Sequence, residues 1–282
     1  ACASIHLRSG TTTATAASCN TSCASSQAAA LPDPVPGPDA TEACAEALAD
    51  ARHVAVLTGA GVSAESGVPT FRDALEGLWA KHATMQLATP EAFVRDPQTA
   101  WDWYRWRRSL VAEVAPNPGH DALVALTAHM DTLTLVTQNV DGLHQRAGSR
   151  DVIEFHGNLF SDKCAHCDTR EPAHTGDAGD PPPTCGQCGR VMTPGVVLFG
   201  EMIPPAAMQA SEIAATTCDL FLVVGTSAQV YPAAGLAGTA RACGAGIIEI
   251  NPEATPLSAG ADHVLRGPSG EVLPALLAAL AA

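Results

Sequence analysis

The sequence contains no uninterrupted apolar run approaching the ~18 residues a membrane-spanning helix needs, so no membrane span is expected. Basic residues are scarce too: 15 Lys and Arg stand against 29 Asp and Glu, for a formal net charge of -14. A surface of that sign repels phosphate backbones. It argues against nonspecific nucleic-acid binding and is compatible with basic protein partners. The N-terminus lacks the continuous apolar segment of a secretory signal. Ten cysteines without such a signal favour a reducing compartment and a metal site over a disulfide framework. The cytoplasm is the expected location. What is present, 282 residues of which 46% are hydrophobic, suffices for one large domain with inserts.

Residues 1–40 are rich in Ala, Ser, Thr and then Pro, with neither helical nor strand periodicity, and are expected to form a disordered extension. No acidic residue precedes Asp33, as in an organellar transit peptide, which would place the protein in an organelle matrix. Arg8 as the sole basic residue of that stretch weighs against this.

Beyond the extension, short apolar runs alternate with helical stretches. The runs are His53–Thr58, Leu133–Val136, Leu220–Val224 and Gly246–Ile250. Near-continuous apolar strands signal a parallel sheet buried on both faces. The expected fold is α/β: a Rossmann-like, doubly wound parallel sheet built from residues 41–70, 117–160 and 196–282. A smaller domain is expected from a helical insert at 71–116, which holds all four tryptophans, and a zinc-ribbon insert at 161–195. Such sheets bind ligands at the carboxyl ends of their strands.

Three groups of residues sit at those ends or between them. Gly59-Ala60-Gly61-Val62-Ser63 follows the first apolar run directly. It fits either a plain tight turn or a turn that lets the backbone approach a pyrophosphate, and the strand context favours the second. Gly67 lies six positions beyond Gly61, unlike the common dehydrogenase fingerprint, which argues against simple hydride transfer. Gln138-Asn139-Val140-Asp141 ends the second run. An amide and a carboxylate side by side can recognise a carboxamide; an Asx-type loop with a helix cap is the alternative. His156 follows in Phe-His-Gly-Asn and can act as a base near neutral pH, whereas His120 and His144 read as structural.

Cys164-x2-Cys167-x17-Cys185-x2-Cys188 is the strongest purely chemical signal. Two knuckles can direct four thiolates to one tetrahedral Zn²⁺ and leave no open position for water, which makes the metal structural. Disulfides or free thiols are the alternative, and His166 or His174 as ligands would spoil the paired spacing. Cys44, Cys218 and Cys243 sit in apolar contexts and are expected to be buried.

The stretch from Gly59 to Arg72, with Val62 and Val68 where isoleucine is usual, closely resembles the first signature of the sirtuins, the NAD-dependent protein lysine deacylases. Thr137–His144 resembles their nicotinamide-pocket motif, and Phe155-His156-Gly157 their catalytic histidine. The resemblance covers roughly residues 45–280, with the motifs in the family's order. It implies that NAD is a consumed co-substrate and that His156 is the catalytic base. It places NAD on Gly59, Ala60, Gly61, Ser63, Phe71, Arg72, Trp79, Gln138, Asn139 and Asp141. Further NAD contacts are implied at Gly225, Thr226, Ser227, Asn251, Pro252, Glu253 and Ser269. Val197, Phe199, Gly200 and Glu201 belong to a segment implied to pair with the acylated lysine peptide. Such peptides and proteins are the expected partners, and the expected state is a monomer.

Tyr104 and Arg107 lie three apart on a helical stretch and can share one face. A phenol and a guanidinium suit a carboxylate. On chemistry alone, a solvated basic face with aromatic packing is favoured. The Tyr-x-x-Arg pair, however, resembles the class III sirtuins, in which it reads the distal carboxylate of succinyl-, malonyl- or glutaryl-lysine. The resemblance therefore implies a deacylase for acidic acyl groups that retains deacetylation. A mono-ADP-ribosyltransferase and a noncatalytic NAD or ADP-ribose sensor are the rival readings.

Overall fold

A computed structural model of the chain describes residues 38–69 and 84–282. All of them belong to one unit, Pro34–Ala282. The expected extension at 1–40 lies almost wholly outside the described residues, as do Thr70, Phe71, Arg72 and Trp79.

A six-stranded sheet runs in the order β3-β2-β1-β7-β8-β9, and every pairing is parallel. Its strands are β1 (His53–Thr58), β2 (Thr132–Thr137), β3 (Ile153–Glu154), β7 (Leu220–Val224), β8 (Gly246–Ile250) and β9 (His263–Leu265). The chain's direction of winding reverses between β1 and β7, the kind of switch point where doubly wound sheets open a crevice.

The apolar runs are continuous because both faces are covered. Val54, Val56, Leu222, Val224, Ile248 and Ile250 pack against helices Pro38–Asp50, Pro118–Leu126 and Ser269–Leu280. Ala55, Leu57, Phe221, Val223 and Ile247 point the other way, toward helices Pro205–Thr217 and Leu236–Ala242. The two- and three-residue strands β3 and β9 are too short to carry a period, and their pairing partners define them.

A second, three-stranded antiparallel sheet has the order β5-β4-β6, with β4 (Gly157–Lys163), β5 (Arg170–Pro172) and β6 (Thr193–Val196). It shares a third apolar cluster with helices Pro90–Arg95 and Pro97–Glu113. Trp101, Trp103, Tyr104 and Phe93 meet Leu159, Met192, Val196 and the buried Cys164 and Cys185 there, so the helical and cysteine-bearing stretches build one body. Trp101 Nε1 donates to Met192 O at 2.9 Å across that junction. Among the described residues no helix is long and apolar enough to cross a membrane.

Candidate active site

Register brings the site residues together. Thr58 pairs with Thr137 on one side and Val224 on the other; Glu154 flanks Thr137, and Ile250 flanks Val224. The residues that follow these strand ends, His156, Gln138, Gly59, Gly225 and Asn251, therefore emerge along one edge of the sheet.

The turns after β1 and β7 interlock. Gly61 N donates to Gly225 O at 2.7 Å, and Gly59 N to Val224 O at 3.0 Å. A Cβ on Gly225, whose φ is +61°, would stand 2.5 Å from Val62 N. A Cβ on Gly61 would stand 2.7 Å from Gly225 O. These glycines are thus required first by each other, a reason that the motif by itself does not reveal. Among the described residues the N–H groups of Ala60 and Ser227 donate to no partner. Free N–H groups on glycine-rich turns fit an anionic, phosphate-bearing ligand.

Beside the turns, three side chains form a polar triad. Asn139 Nδ2 donates to Ser63 Oγ at 3.0 Å, and Ser63 Oγ donates to Asp141 Oδ2 at 2.8 Å. Asp141 Oδ1 meanwhile accepts from Leu143 N at 2.9 Å, so the Asx-type loop is also real. One carboxylate makes the turn and orients the hydroxyl. Gln138 Nε2 reaches across to Thr226 Oγ1 at 2.9 Å, and Asn251 Nδ2 donates to Thr226 O at 2.8 Å.

His156 follows β3. Its Nδ1 lies 2.9 Å from Gln138 O. A carbonyl only accepts, so Nδ1 carries the proton, and among the described residues the Nε2 lone pair is unengaged. Burial pushes the imidazole pKa down, partly offset by that hydrogen bond. The ring is therefore neutral at physiological pH, as a general base must be.

The four cysteine sulfurs all lie within 4.8 Å of one another. The separations are 3.5 Å for Cys164–Cys188 and 3.6 Å for both Cys167–Cys185 and Cys167–Cys188. Tetrahedral Zn²⁺ with Zn–S bonds of ~2.3 Å requires sulfurs ~3.8 Å apart, so the donor set fits. The two knuckles repeat one another. Asp168 N donates to Cys164 O and Gly189 N to Cys185 O, with Asp168 and Gly189 both at positive φ.

Tyr104 is fully buried, and burial raises its pKa to about 12. The Arg107 guanidinium lies 4.9 Å from the Trp103 ring centroid and 5.9 Å from that of Tyr104. Among the described residues it makes no ion pair or hydrogen bond, although the Asp141 carboxylate acts on it through its charge. The neighbouring Arg105 and Arg108 are fully engaged: Arg105 on Asp180 O and Pro181 O, Arg108 on Asp162 and Leu159 O.

The segment implied to meet the peptide is not a strand along its length. β6 ends at Val196, Val197 N donates to His156 O at 2.7 Å, and Phe199 is exposed. Glu201 accepts from Lys163 Nζ at 2.5 Å and from Leu198 N at 2.8 Å, which braces the loop containing Gly200. Ser269 is buried with its hydroxyl donating to Glu65, and Gly270 N donates to Glu65 at 2.6 Å. Glu65 thereby caps the C-terminal helix from the glycine-rich segment. Cys44 and Cys218 are buried as expected; Cys243, at the end of helix Leu236–Ala242, is exposed.

Sequence reasoning missed Glu249 and Arg266. The wholly buried Glu249 accepts from Ser258 Oγ at 2.5 Å, from the Thr255 hydroxyl, and from Arg266 at 3.3 Å. Arg266 also donates to Asn251 O and Glu253 O, and so holds the turn that includes Pro252. The available signal was a carboxylate inside the apolar run Gly-Ile-Ile-Glu-Ile.

Residues 59–232 match the family model described as the Sir2 family. The chain belongs to that family. Similar Sir2 relatives include an NAD-dependent protein deacylase of Ralstonia nicotianae, 56% identical over 81% of this chain and 92% of the relative. NAD-dependent protein deacylase 1 of Pseudomonas aeruginosa is 50% identical over 83% of this chain and 97% of its own length. Among solved structures, a Sir2 homologue–NAD complex is 42% identical with a TM-score of 0.79, over 85% of this chain and 93% of that one.

Proposed function

We propose that this Sir2 protein is an NAD-dependent protein-lysine deacylase that prefers acyl groups ending in a carboxylate and retains deacetylation. The observation that carries the deacylase reading is a neutral imidazole with a free Nε2, whose Nδ1 is tied to the loop bearing Asn139 and Asp141.

Bound NAD supplies an electrophilic ribose carbon and nicotinamide as its leaving group. Asn139, oriented by Ser63 and Asp141, holds the nicotinamide carboxamide. Ala60 and Ser227 offer N–H groups to the pyrophosphate and ribose. His156 Nε2 takes the proton of a ribose hydroxyl, and Gln138 O keeps that lone pair pointed outward. With one water consumed to release the lysine amine, the expected products are the free lysine, nicotinamide and 2′-O-acyl-ADP-ribose. Cys164, Cys167, Cys185 and Cys188 would hold Zn²⁺, which supplies folding free energy to the small sheet rather than chemistry.

Arg107 supports the acidic-acyl preference. It is a guanidinium against the Trp103 and Tyr104 rings, with no ion-pair or hydrogen-bond partner among the described residues and the Asp141 carboxylate acting on it only through its charge. A succinyl or malonyl carboxylate would supply the directly bonded anion that the described residues do not.

The test is one peptide bearing acetyl-, malonyl-, succinyl- or glutaryl-lysine, with and without NAD, read by nicotinamide release and product mass. NAD-dependent loss of the acyl group, fastest for the acidic acyl chains, is the expected result. ADP-ribose attached to an acceptor instead would identify a transferase. Nicotinamide release that ignores the peptide would refute the proposal.

A further inference from the structure

Two buried imidazoles behind the nicotinamide loop have no role in the chemistry above. His120 and His144 are 0% and 1% exposed, and their ring centroids are 4.8 Å apart. Among the described residues each leaves one buried nitrogen without a partner, His120 Nε2 and His144 Nδ1. Buried polar atoms are rarely left so, and two of them on touching rings call for one explanation.

Their tautomers can be worked out from their other partners. Asn117 N approaches His120 Nδ1 at 3.3 Å, closing a capping box at the start of helix Pro118–Leu126. A backbone N–H only donates, so His120 Nδ1 accepts and Nε2 carries the proton. On the other ring, His144 Nε2 lies 2.9 Å from Thr58 Oγ1, and Thr58 Oγ1 lies 2.8 Å from Thr137 Oγ1. If Thr58 donates to Thr137, His144 Nε2 must be the donor to Thr58, and its orphan Nδ1 is an acceptor. In the opposite arrangement both orphan nitrogens would be donors, buried face to face with no acceptor between them. Only the first arrangement makes the orphans complementary.

We infer that His120 and His144 form a one-directional hydrogen-bond relay, His120 Nε2–H to His144 Nδ1, that joins the glycine-rich turn to the nicotinamide loop. The two nitrogens do not bond directly, so the link closes through one buried water. At one end, Asn117 Nδ2 holds Val62 O at 2.8 Å and Ser66 Oγ at 3.0 Å. At the other, Thr137 Oγ1 accepts from Asn139 N at 3.1 Å. The relay therefore fixes the backbone of Asn139, whose side chain contacts Ser63. His120 and His144 act as positioning residues for the carboxamide pocket. Only this last role rests on the deacylase reading; the tautomers do not.

The first test uses the wild-type protein, labelled with ¹⁵N-histidine and assigned with His120→Gln and His144→Gln. Both rings should show the Nε2–H tautomer at neutral pH. An Nδ1–H tautomer on either ring overturns the relay, whatever the enzyme does. The second test compares His144→Phe with wild type for inhibition by nicotinamide and for the KM of the acyl peptide. A loss of nicotinamide affinity of about fivefold or more, with peptide KM within about twofold, is expected. Unchanged nicotinamide affinity in a folded variant overturns the positioning role. Wild-type enzyme blind to nicotinamide would overturn that role together with the deacylase reading, and leave the tautomer result standing.

Discussion

Replacing Arg107 with methionine separates a specificity residue from a packing residue. Methionine keeps an unbranched stem of similar reach but carries no charge. Two contributions are lost. One is the cation–π contact over Trp103 at 4.9 Å, worth ~0.5–2 kcal/mol. It belongs to the enzyme itself and bears equally on every acyl substrate. The other is the charge-assisted contact to a distal carboxylate. Truncating one member of a buried, hydrogen-bonded charge pair costs ~2–5 kcal/mol, because the remaining charge stays desolvated and unpaired. An acetyl group has no such charge to strand. The ratio of kcat/KM for succinyl over acetyl peptide removes the shared contribution, and it should fall by about 30-fold or more. The assay is steady-state deacylation of the two peptides at saturating NAD. Equal losses on both would mean that Arg107 only packs, and would refute the assignment of Tyr104 and Arg107 to acyl recognition.

His156→Ala should bind NAD as the wild type does by calorimetry, yet lose ~10²–10⁴-fold in kcat, the usual value of general-base help; near-normal turnover would exclude the role. Stripping zinc with a chelator, or Cys185→Ser at a buried ligand, should unfold the small sheet and its shared core with Trp101, seen as a red shift in tryptophan emission. Gly225→Ala should cost several kcal/mol or prevent folding, since its Cβ would collide with Val62 N at 2.5 Å; a urea midpoint near that of wild type would refute this. His144 is held neutral by burial, with its pKa lowered to about 3, while the unfolded chain protonates near ~6.5. Below ~6.5 the unfolded state binds the extra proton, so stability falls as pH falls, by up to about 1.4 kcal/mol per unit until about pH 3. Urea titrations at pH 7 and pH 5 should show a smaller loss in His144→Phe than in wild type.

Much of this molecule was legible without coordinates. The buried parallel strands announce themselves as unbroken apolar runs, because a strand covered on both faces has no polar side to show. The cysteine pairs announce the knuckles, because a Cys-x2-Cys turn brings two thiolates to one ion and two such turns complete a tetrahedral set. The exposure of Cys243 was misread, because an apolar neighbourhood in sequence says nothing about the end of a helix. Glu65, Glu249 and Arg266 escaped notice, because a capping or clamping side chain is recognised only by what it touches.

The order and chemistry of the motifs are properties of the chain: glycines where backbones must close, an amide and a carboxylate at a strand end, one imidazole before a glycine. What the fold alone decided is their register. Thr58, Thr137, Val224 and Ile250 end in one row because parallel strands pair residue for residue. That alignment sets Gly59 against Thr226, and Asn139 against Ser63, across separations of 76 residues or more. Hydrogen bonding between strands is a long-range contact that local pattern does not encode. The same holds for the tautomers of His120 and His144, since a proton's place on an imidazole depends on every neighbour the folded chain delivers.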